Sequence, residues 1–282
     1  MLSAVSVNNT LSRLSPHQIA MWYLGQVGFL FAYRQKTVLV DGYLSDYVDR
    51  NCSSELVPWK RLYPAPMDAH DLSFVDYVLC THTHYDHTDP DTLSALLSVN
   101  TKAVFLGTHA VARRFAELGV PAERIRALDN DETVSLCNDI TVTNVPAAHE
   151  ELHPDEAGQY EEGGFRLLFG DGEDAVSVYH AGDCCLWDGL EKRIRNTDIL
   201  ILPVNGRDYY RRYEKGIIGN FDCTEAITLA KNTGAELLIP VHIDLYKVNQ
   251  LNPAIFVDTL EGLNPAQKYH IFRPGEKYIY ER

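Results

Sequence analysis

The stretch from Thr81 to His87 reads THTHYDH and directly follows the mostly apolar run FVDYVLC. It places three of the chain's eleven histidines, together with one aspartate, within six residues. In an extended strand end, His82 and His84 are two residues apart and point the same way. Asp86 and His87 follow where the chain turns, so we expect them to face the same hollow from another side. Imidazole and carboxylate groups without thiolate suit zinc, manganese or iron, and the stretch therefore predicts a metal site.

Three later strands each end on a single side chain that can bind a metal. His149 ends TVTNVPAAH, Asp183 ends VSVYHAGD and His242 ends LLIPVH. Functional residues cluster at such strand ends in layered folds. The alternative is a set of ordinary core or surface histidines, which fits an isolated histidine better than a cluster with three matching strand ends.

Apolar segments elsewhere alternate between strand-like and helix-like patterns. MWYLGQVGFLFAY and KTVLVDGYLSD are predicted as two strands joined by a turn near Arg34–Lys36. DPDTLSALLS predicts a helix with Thr88 or Asp89 available as its cap. Strands that alternate with helices indicate an α/β fold of layered sheets covered by helices. Because the chain shows no internal repeat and no low-complexity linker, residues 1–282 are predicted to form a single domain, with 1–20 as an N-terminal extension.

Charge and composition argue against several classes of partner. Hydrophobic residues make up 45% of the chain and charged residues 23%, which allows a substantial core. The formal net charge of −14 repels phosphate backbones and anionic lipid heads, so we expect neither nucleic acid nor a membrane as partner. The N-terminus lacks a secretory signal pattern and no segment has the length of a membrane span. The six cysteines form no CxxC pair, and reduced thiols in a cytoplasmic protein are expected.

HxHxDH, followed by a distant His, a Gly-Asp pair and a final His, resembles the metallo-β-lactamase superfamily. The resemblance implies a four-layer αββα sandwich of the metallo-β-lactamase type, with two divalent metal ions at one edge of its sheets. It also assigns every ligand position to a residue of this chain: His82, His84 and His149 to one ion, Asp86, His87 and His242 to the other, and Asp183 as the bridge between them.

Segments spread over nearly the whole chain resemble one branch of that superfamily, the UlaG-like L-ascorbate-6-phosphate lactonases. Among these segments are WYLGQVGFLF, YHAGD, LPVNGRD and IPVHIDLY. Asp41-Gly42 departs from the Asp-Pro expected there. The branch implies a lactonase of ascorbate metabolism that opens a phosphorylated sugar-acid lactone such as L-ascorbate 6-phosphate. It also implies a homo-oligomer and favours manganese over zinc, although the ligand types accept both.

The implied chemistry is hydrolysis. A divalent cation lowers the pKa of bound water from 15.7 to about 7, so that hydroxide is available to attack a lactone carbonyl at neutral pH. Asp86 and His87 are predicted as catalytic residues. Three alternatives stay open: a phosphodiesterase acting on a cyclic nucleotide or another small phosphodiester, a di-iron oxygen reductase, and a non-catalytic metal-binding protein. The reductase is disfavoured because His84 stands where that branch has Glu.

The segment NGRDYYRRYEK is the most basic and aromatic part of the chain. Guanidinium forks bind phosphate and carboxylate groups bidentately, so Arg207 and Arg211, with Asn205, are predicted to bind the anionic group of a small substrate. The alternative is a helix start with a solvated basic face. His180 is predicted to line the pocket or to support a ligand. Gln26, in the turn of LGQVGF, is expected to have a structural hairpin role.

Overall fold

The computed structural model describes residues 2–282, which form two seven-stranded sheets. The strands in chain order are β1 (Gln18–Gly25), β2 (Gly28–Tyr33), β3 (Lys36–Val40), β4 (Tyr77–Cys80), β5 (Val104–Gly107), β6 (Ile125–Ala127), β7 (Thr133–Cys137), β8 (Ile140–Pro146), β9 (Gly163–Phe169), β10 (Val176–His180), β11 (Ile199–Pro203), β12 (Leu237–Val241), β13 (Lys268–Tyr269) and β14 (Lys277–Glu281). The first sheet has the order β14-β1-β2-β3-β4-β5-β6, and the second has the order β13-β12-β11-β10-β9-β8-β7. Each sheet is antiparallel in one half and parallel in the other, the parallel halves being β3 to β6 and β10 to β13.

Seven α-helices accompany the sheets within the described residues. They are α1 (Ala4–Leu11), α2 (Tyr47–Cys52), α3 (Pro90–Val99), α4 (His109–Glu117), α5 (Leu190–Arg193), α6 (Cys223–Thr233) and α7 (Pro253–Leu263). Four short 3₁₀ turns lie at Ala69–Phe74, Ala122–Arg124, Gly172–Asp174 and Lys247–Asn249, and a π-helical turn lies at Tyr210–Glu214. Over residues 2–282, no helix combines the length and the apolar character required to cross a lipid bilayer.

Side chains of the strands alternate between two kinds of apolar layer, because successive strand residues point to opposite faces of a sheet. In β2, Phe29 and Phe31 are buried between the sheets, whereas Leu30 packs under the helices. In β11, Ile199 faces the other sheet and Leu200 faces the helices. Helices α1, α3 and α4 cover the first sheet, and α5, α6 and α7 cover the second. The predicted four-layer αββα sandwich is confirmed.

The region before β3 differs from the prediction. MWYLGQVGFLFAY was expected to be one strand, but it forms the hairpin β1–β2, which turns at Gln26 and Val27. The backbone of Gly25 (φ 99°) and Gln26 (φ 60°) is left-handed at this turn. The helix at DPDTLSALLS is confirmed, because α3 begins at Pro90 and its cap is the Asp89 side chain, which accepts from the Asp91 backbone N–H.

The two sheets meet at one edge of the sandwich, where several strands end. Asp41, Thr81 and His242 each follow directly the last residue of a strand, namely β3, β4 and β12. The backbone N–H of His242 donates to the carbonyl of Gln26 at 2.8 Å, and that of Gly163 donates to the carbonyl of Thr81 at 3.0 Å. These bonds tie the second sheet to the first at the edge where the predicted ligands lie.

Candidate metal centre

The structure brings all seven side chains predicted as metal ligands together at this edge. They fall into two groups, His82, His84, His149 and Asp183 in one, and Asp86, His87 and His242 in the other. Within each group, the potential ligand atoms all lie within 4.8 Å of one another. Zinc is held about 2.0–2.2 Å from each nitrogen or oxygen ligand, so its ligand atoms are separated by about 4 Å or less. Each group therefore has close to the spacing that one cation requires.

One carboxylate lies between the two groups. Oδ1 of Asp183 is 3.3 Å from Nε2 of His242 and 3.5 Å from Nε2 of His87. Asp183 thus belongs spatially to the first group while it contacts two histidines of the second. This is the placement that a ligand shared by two cations requires.

A tight turn folds the heptapeptide back on itself. The backbone N–H groups of His87 and Thr88 both donate to the carbonyl of His84, at 3.1 and 2.7 Å. The Thr88 hydroxyl donates to the carbonyl of His82 at 2.6 Å, which closes the loop. Because of this turn, Asp86 and His87 approach the site from a different side than His82 and His84.

Four of the seven side chains carry a buried atom that has no hydrogen-bond partner within residues 2–282. These atoms are Nε2 of His82, Nε2 of His87, Nδ1 of His149 and Oδ1 of Asp183. Buried polar atoms in folded proteins are almost always paired, and leaving one unpaired costs about 1–3 kcal/mol. All four are atom types that bind divalent cations, and all four lie in the two groups. The residues present therefore fit a pair of metal ions.

Two histidines and the carboxylate between the groups are held in the forms that bind metals. Burial lowers the pKa of His82 well below the ordinary histidine value, and it lowers the pKa of His149 to about 4. Both rings are therefore neutral at pH 7. Burial alone would raise the pKa of Asp183, but the imidazoles of His242 and His87 outweigh it and hold that pKa well below its usual range. Asp183 is therefore ionised.

Asp41 belongs to the site although the sequence analysis did not assign it a role there. Its carboxylate is fully buried and accepts from the backbone N–H of Thr81 at 2.8 Å and from the Thr81 hydroxyl at 2.7 Å. It also contacts the ring of His87. The available sequence evidence was its place at the end of the apolar strand KTVLV, the same position that identified His149, Asp183 and His242.

Gln26 reaches further into the site than its expected hairpin role. Its Nε2 donates to Oδ2 of Asp86 at 2.8 Å and lies 2.9 Å from Nε2 of His242. Its carbonyl accepts from the Tyr23 hydroxyl and from the His242 backbone N–H. The hairpin turn therefore positions an amide that contacts two members of the second ligand group.

Three of the site residues have left-handed backbone. They are Gln26 (φ 60°), Asp41 (φ 46°) and His242 (φ 62°). This conformation costs roughly 1–2 kcal/mol for a residue with a side chain, and such residues concentrate at functional sites. The hydrogen bonds of Gln26 and Asp41 described above help to hold it here.

A cleft of about 260 Å³ opens over the two ligand groups. Its volume lies just below the range of roughly 300–1,000 Å³ that is typical of ligand pockets, so it suits a compact small molecule. Five of the predicted ligands line it, namely His84, Asp86, His149, Asp183 and His242. The rest of the lining comes from α2 and four connecting segments, namely Val48, Cys52, Trp59, Tyr85, Gly216, Ile217, Ile218, Tyr246 and Asn249.

Comparison with known proteins agrees with this geometry. A family model described as a beta-lactamase superfamily domain matches residues 37–243, a range that contains all seven predicted ligands. The chain belongs to the metallo-β-lactamase superfamily.

Relatives within this superfamily match different lengths of the chain. A UPF0173 metal-dependent hydrolase of Methanoculleus marisnigri is 31% identical over 204 residues, which cover 71% of this chain and 80% of the relative. An uncharacterized protein of Mycobacterium tuberculosis is 37% identical over 123 residues, or 42% of this chain. The match spans only 32% of the length of that relative. The solved structure of Igni18, a metallo hydrolase from Ignicoccus hospitalis, has the same fold, with a TM-score of 0.69, 19% identity, and coverage of 94% of this chain and 99% of that one.

In this member of the superfamily, the predicted anion-binding arginines lie beside the cleft rather than in its wall. Arg207 donates to Glu225 at 2.6 Å and to the carbonyl of Asn220 at 2.8 Å. Arg211 donates to the carbonyl of Asn205 at 2.6 Å and pairs with Asp208. The guanidinium groups are therefore engaged by partners within the protein.

Asn205 and His180 are buried behind the cleft. The amide of Asn205 donates to Oδ1 of Asn249 at 2.7 Å, and Asn249 in turn lines the cleft. His180 is fully buried; its Nε2 donates to the carbonyl of Val27 at 2.7 Å and its Nδ1 accepts from the Gly182 N–H at 3.2 Å. Both side chains thus support the walls of the site and do not face its opening.

Proposed function

We propose that this protein is a dinuclear metal-dependent hydrolase that opens a lactone or a closely related ester. The observation that carries the proposal is the convergence of seven nitrogen- and oxygen-bearing side chains, four of which present buried atoms without partners. Membership of the metallo-β-lactamase superfamily supports the same class of chemistry. The UlaG-like branch and L-ascorbate 6-phosphate remain the finer predictions from sequence.

The two ligand groups define which residues would hold which ion. His82, His84 and His149 would hold one, Asp86, His87 and His242 would hold the other, and Asp183 would contact both. When bound, divalent cations lower the pKa of water to about 7 and polarise a carbonyl oxygen. Nitrogen and oxygen ligands accept either zinc or manganese.

Asp86 is the residue we assign to proton transfer. It lines the cleft, and its Oδ2 is held by the Gln26 amide at 2.8 Å. A carboxylate has two oxygens, so Asp86 could bind a cation through one and, through the other, accept a proton from an attacking water and return that proton to the leaving alkoxide. General acid–base catalysis of this kind contributes about 10²–10⁴-fold to a rate. His87, held by Asp41, stays fixed beside it.

A carbonyl substrate fits the cleft better than a phosphodiester. None of the described residues that line it is lysine or arginine. Phosphoryl-transfer sites commonly use such cations to offset the charge of the phosphate oxygens. A lactone or ester is uncharged in its ground state, and it acquires negative charge only in the tetrahedral transition state.

Side-by-side hydrolysis assays test the proposal. Purified protein, with its metal content measured, is assayed with δ-valerolactone, L-ascorbate 6-phosphate and bis-p-nitrophenyl phosphate. We expect lactone turnover to exceed phosphodiester turnover, and Asp86→Asn to reduce it by at least about 100-fold. His270→Gln is the matched control, since His270 pairs with Glu276 outside the cleft. Preferential cleavage of the phosphodiester, or full activity of Asp86→Asn, would contradict the proposal.

A further inference from the structure

We infer that the substrate carries an uncharged, apolar body, such as an alkyl chain or an aryl ring, beside the carbonyl that reacts. This inference rests on the proposed function, and it names the substrate class of the same site. It differs from the phosphorylated sugar acid predicted from sequence, because most of the cleft lining apart from the ligands is apolar and aromatic.

The aromatic wall, defined as Val48, Trp59, Tyr85, Ile217, Ile218 and Tyr246, lines the same cleft as the two ligand groups. Val48 and Tyr246 are buried together with Tyr43 and Leu245 in a hydrophobic cluster separate from the three that join the sheets and helices. Most of the wall therefore does not belong to the main core of the fold. It shapes a surface that is accessible from the cleft.

Contacts between the wall residues keep this surface in place. The rings of Trp59 and Tyr246 pack edge to face with centroids 5.2 Å apart. Lys215 Nζ donates to the carbonyl of Leu56 at 2.9 Å, which ties the segment before Ile217 to the loop that carries Trp59. Apolar groups bound against such a preformed surface lose contact with water without a large cost of ordering the protein.

Cations near the cleft are already paired within the protein. Arg207 is engaged by Glu225, Arg211 by Asp208, and Arg212 by Glu150 at 2.5 Å. Arg61 donates through Nη1 to the carbonyls of Tyr43 and Ser45; its Nη2 is buried without a partner in residues 2–282, and Arg61 is not among the described residues that line the cleft. An anionic group on the substrate body would have to displace a partner from Arg207, Arg211 or Arg212, whereas an apolar body displaces only water.

The wall and the ligands share one cleft of about 260 Å³. A ring lactone placed with its carbonyl at the ligand groups leaves space for a substituent beside it. That substituent lies against Trp59 and Ile217. Each methylene group buried there adds to the affinity, because burial of apolar surface is favourable and roughly proportional to the area removed from water.

Binding of hydrolysis-resistant lactams tests this inference without requiring turnover. Isothermal titration of the protein as purified compares 6-pentylpiperidin-2-one, unsubstituted piperidin-2-one and glucose 6-phosphate. We expect the pentyl compound to bind at least about tenfold more tightly than either of the others. Trp59→Ala and Ile218→Ser should remove most of that difference. Ile218 is 41% exposed, so its replacement is compatible with folding.

Trp187→Ala is the matched control, because Trp187 is half-buried but lies outside the cleft, and it should leave the preference unchanged. Equal binding of the two lactams, tighter binding of glucose 6-phosphate, or no measurable binding of the pentyl compound would overturn the inference. If the preference holds but no ester or lactone is hydrolysed, the proposed function fails while the apolar binding site stands. If lactones are hydrolysed but the pentyl compound shows no preference, the apolar binding site fails while the proposed function stands.

Discussion

His87 donates a hydrogen bond from Nδ1 to the carboxylate of Asp41 at 2.9 Å, and both side chains are fully buried. The bond assigns the Nδ1 proton to the contact with Asp41, so Nε2 is the ring nitrogen that faces Asp183, at 3.5 Å, and that would bind a metal. Carboxylates that bond to the far nitrogen of a histidine orient the ring and raise its basicity toward a metal. Asp41 therefore positions a predicted ligand without being one.

Asp41→Asn should weaken metal binding by about 10–100-fold, because an amide holds the His87 ring less firmly than a carboxylate does. Competition with a chromophoric chelator measures the effect. Asp198→Asn is the matched control, since Asp198 accepts from the backbone N–H and the hydroxyl of Ser177 at 2.7 Å each, just as Asp41 accepts from Thr81, but in the other sheet. Equal metal affinity in the two variants would show that Asp41 has only a structural role.

Gln26→Ala should reduce kcat by about tenfold or more while leaving the fold intact. The amide holds Asp86 and lies 2.9 Å from Nε2 of His242, so its loss frees both side chains to move. Steady-state kinetics with metal-saturated protein measures the change, and circular dichroism checks the fold. Gln35→Ala, which removes an amide that donates to the Leu11 carbonyl away from the site, should retain wild-type kcat. A Gln26→Ala variant as active as Gln35→Ala would contradict this role.

The stability of the metal-free protein should depend on pH through His149. Its pKa is lowered by burial to about 4 in the folded state, against 6.5 for an exposed histidine. Between pH 6.5 and 4, this histidine is protonated in the unfolded chain but not in the folded chain. The free energy of unfolding therefore falls as the pH falls from 6.5 to 4. The free energy of unfolding falls by about 1.4 kcal/mol per pH unit at most, or by about 3 kcal/mol between pH 6.5 and 4.

Comparison with His149→Asn isolates this contribution. Burial would also lower the pKa of His87 and of His242, but neighbouring carboxylates outweigh burial and raise both pKa values. These two rings therefore stabilise the fold at low pH, which is opposite in sign to the effect of His149. Urea unfolding of the two chelator-treated proteins at several pH values gives the difference. We expect the free energy of unfolding to fall more steeply in the wild type than in His149→Asn between pH 6.5 and 4. Parallel curves would be the contrary result.

Arg207→Ala should lower the free energy of unfolding by about 1 kcal/mol and leave the KM for phosphorylated substrates unchanged. The reason is its pairing with Glu225, which also caps the start of α6 together with Asp222. Denaturant unfolding and steady-state kinetics measure the two effects. A rise in KM for L-ascorbate 6-phosphate alone would instead favour the anion-binding role predicted from sequence.

Much of the ligand set could be predicted because its members occupy recognisable positions. The heptapeptide concentrates four ligands; His242 directly follows β12, and His149 and Asp183 lie three residues after the ends of β8 and β10. Asp41 occupies the same kind of position, but a single carboxylate after a strand is also common in turns. Only the contact with His87, 46 residues away in the chain, distinguishes it.

The rest of the site depends on contacts that sequence pattern does not encode. The hairpin at Gln26 lies within a long apolar run whose turn lacks the usual Asn-Gly or Asp-Gly pair, so the apolar pattern alone predicts one strand although a turn at Gln26 is expected. Arg207 pairs with Glu225, 18 residues further on, and such ion pairs between loops and helix starts have no periodic pattern. The aromatic wall comes from α2 and four connecting segments, whose relative positions follow only from the packing of the whole fold.

Metal stoichiometry tests the central claim most directly. Inductively coupled plasma mass spectrometry of the wild type, of His242→Ala and of the control His270→Gln counts the ions held by each after equilibration with manganese or zinc and removal of excess metal. We predict about two ions per chain in the wild type and in His270→Gln, and about one in His242→Ala, because that substitution disrupts only the second ligand group. A wild-type protein that retains no metal, or an His242→Ala variant that retains as much as the wild type, would contradict the assignment.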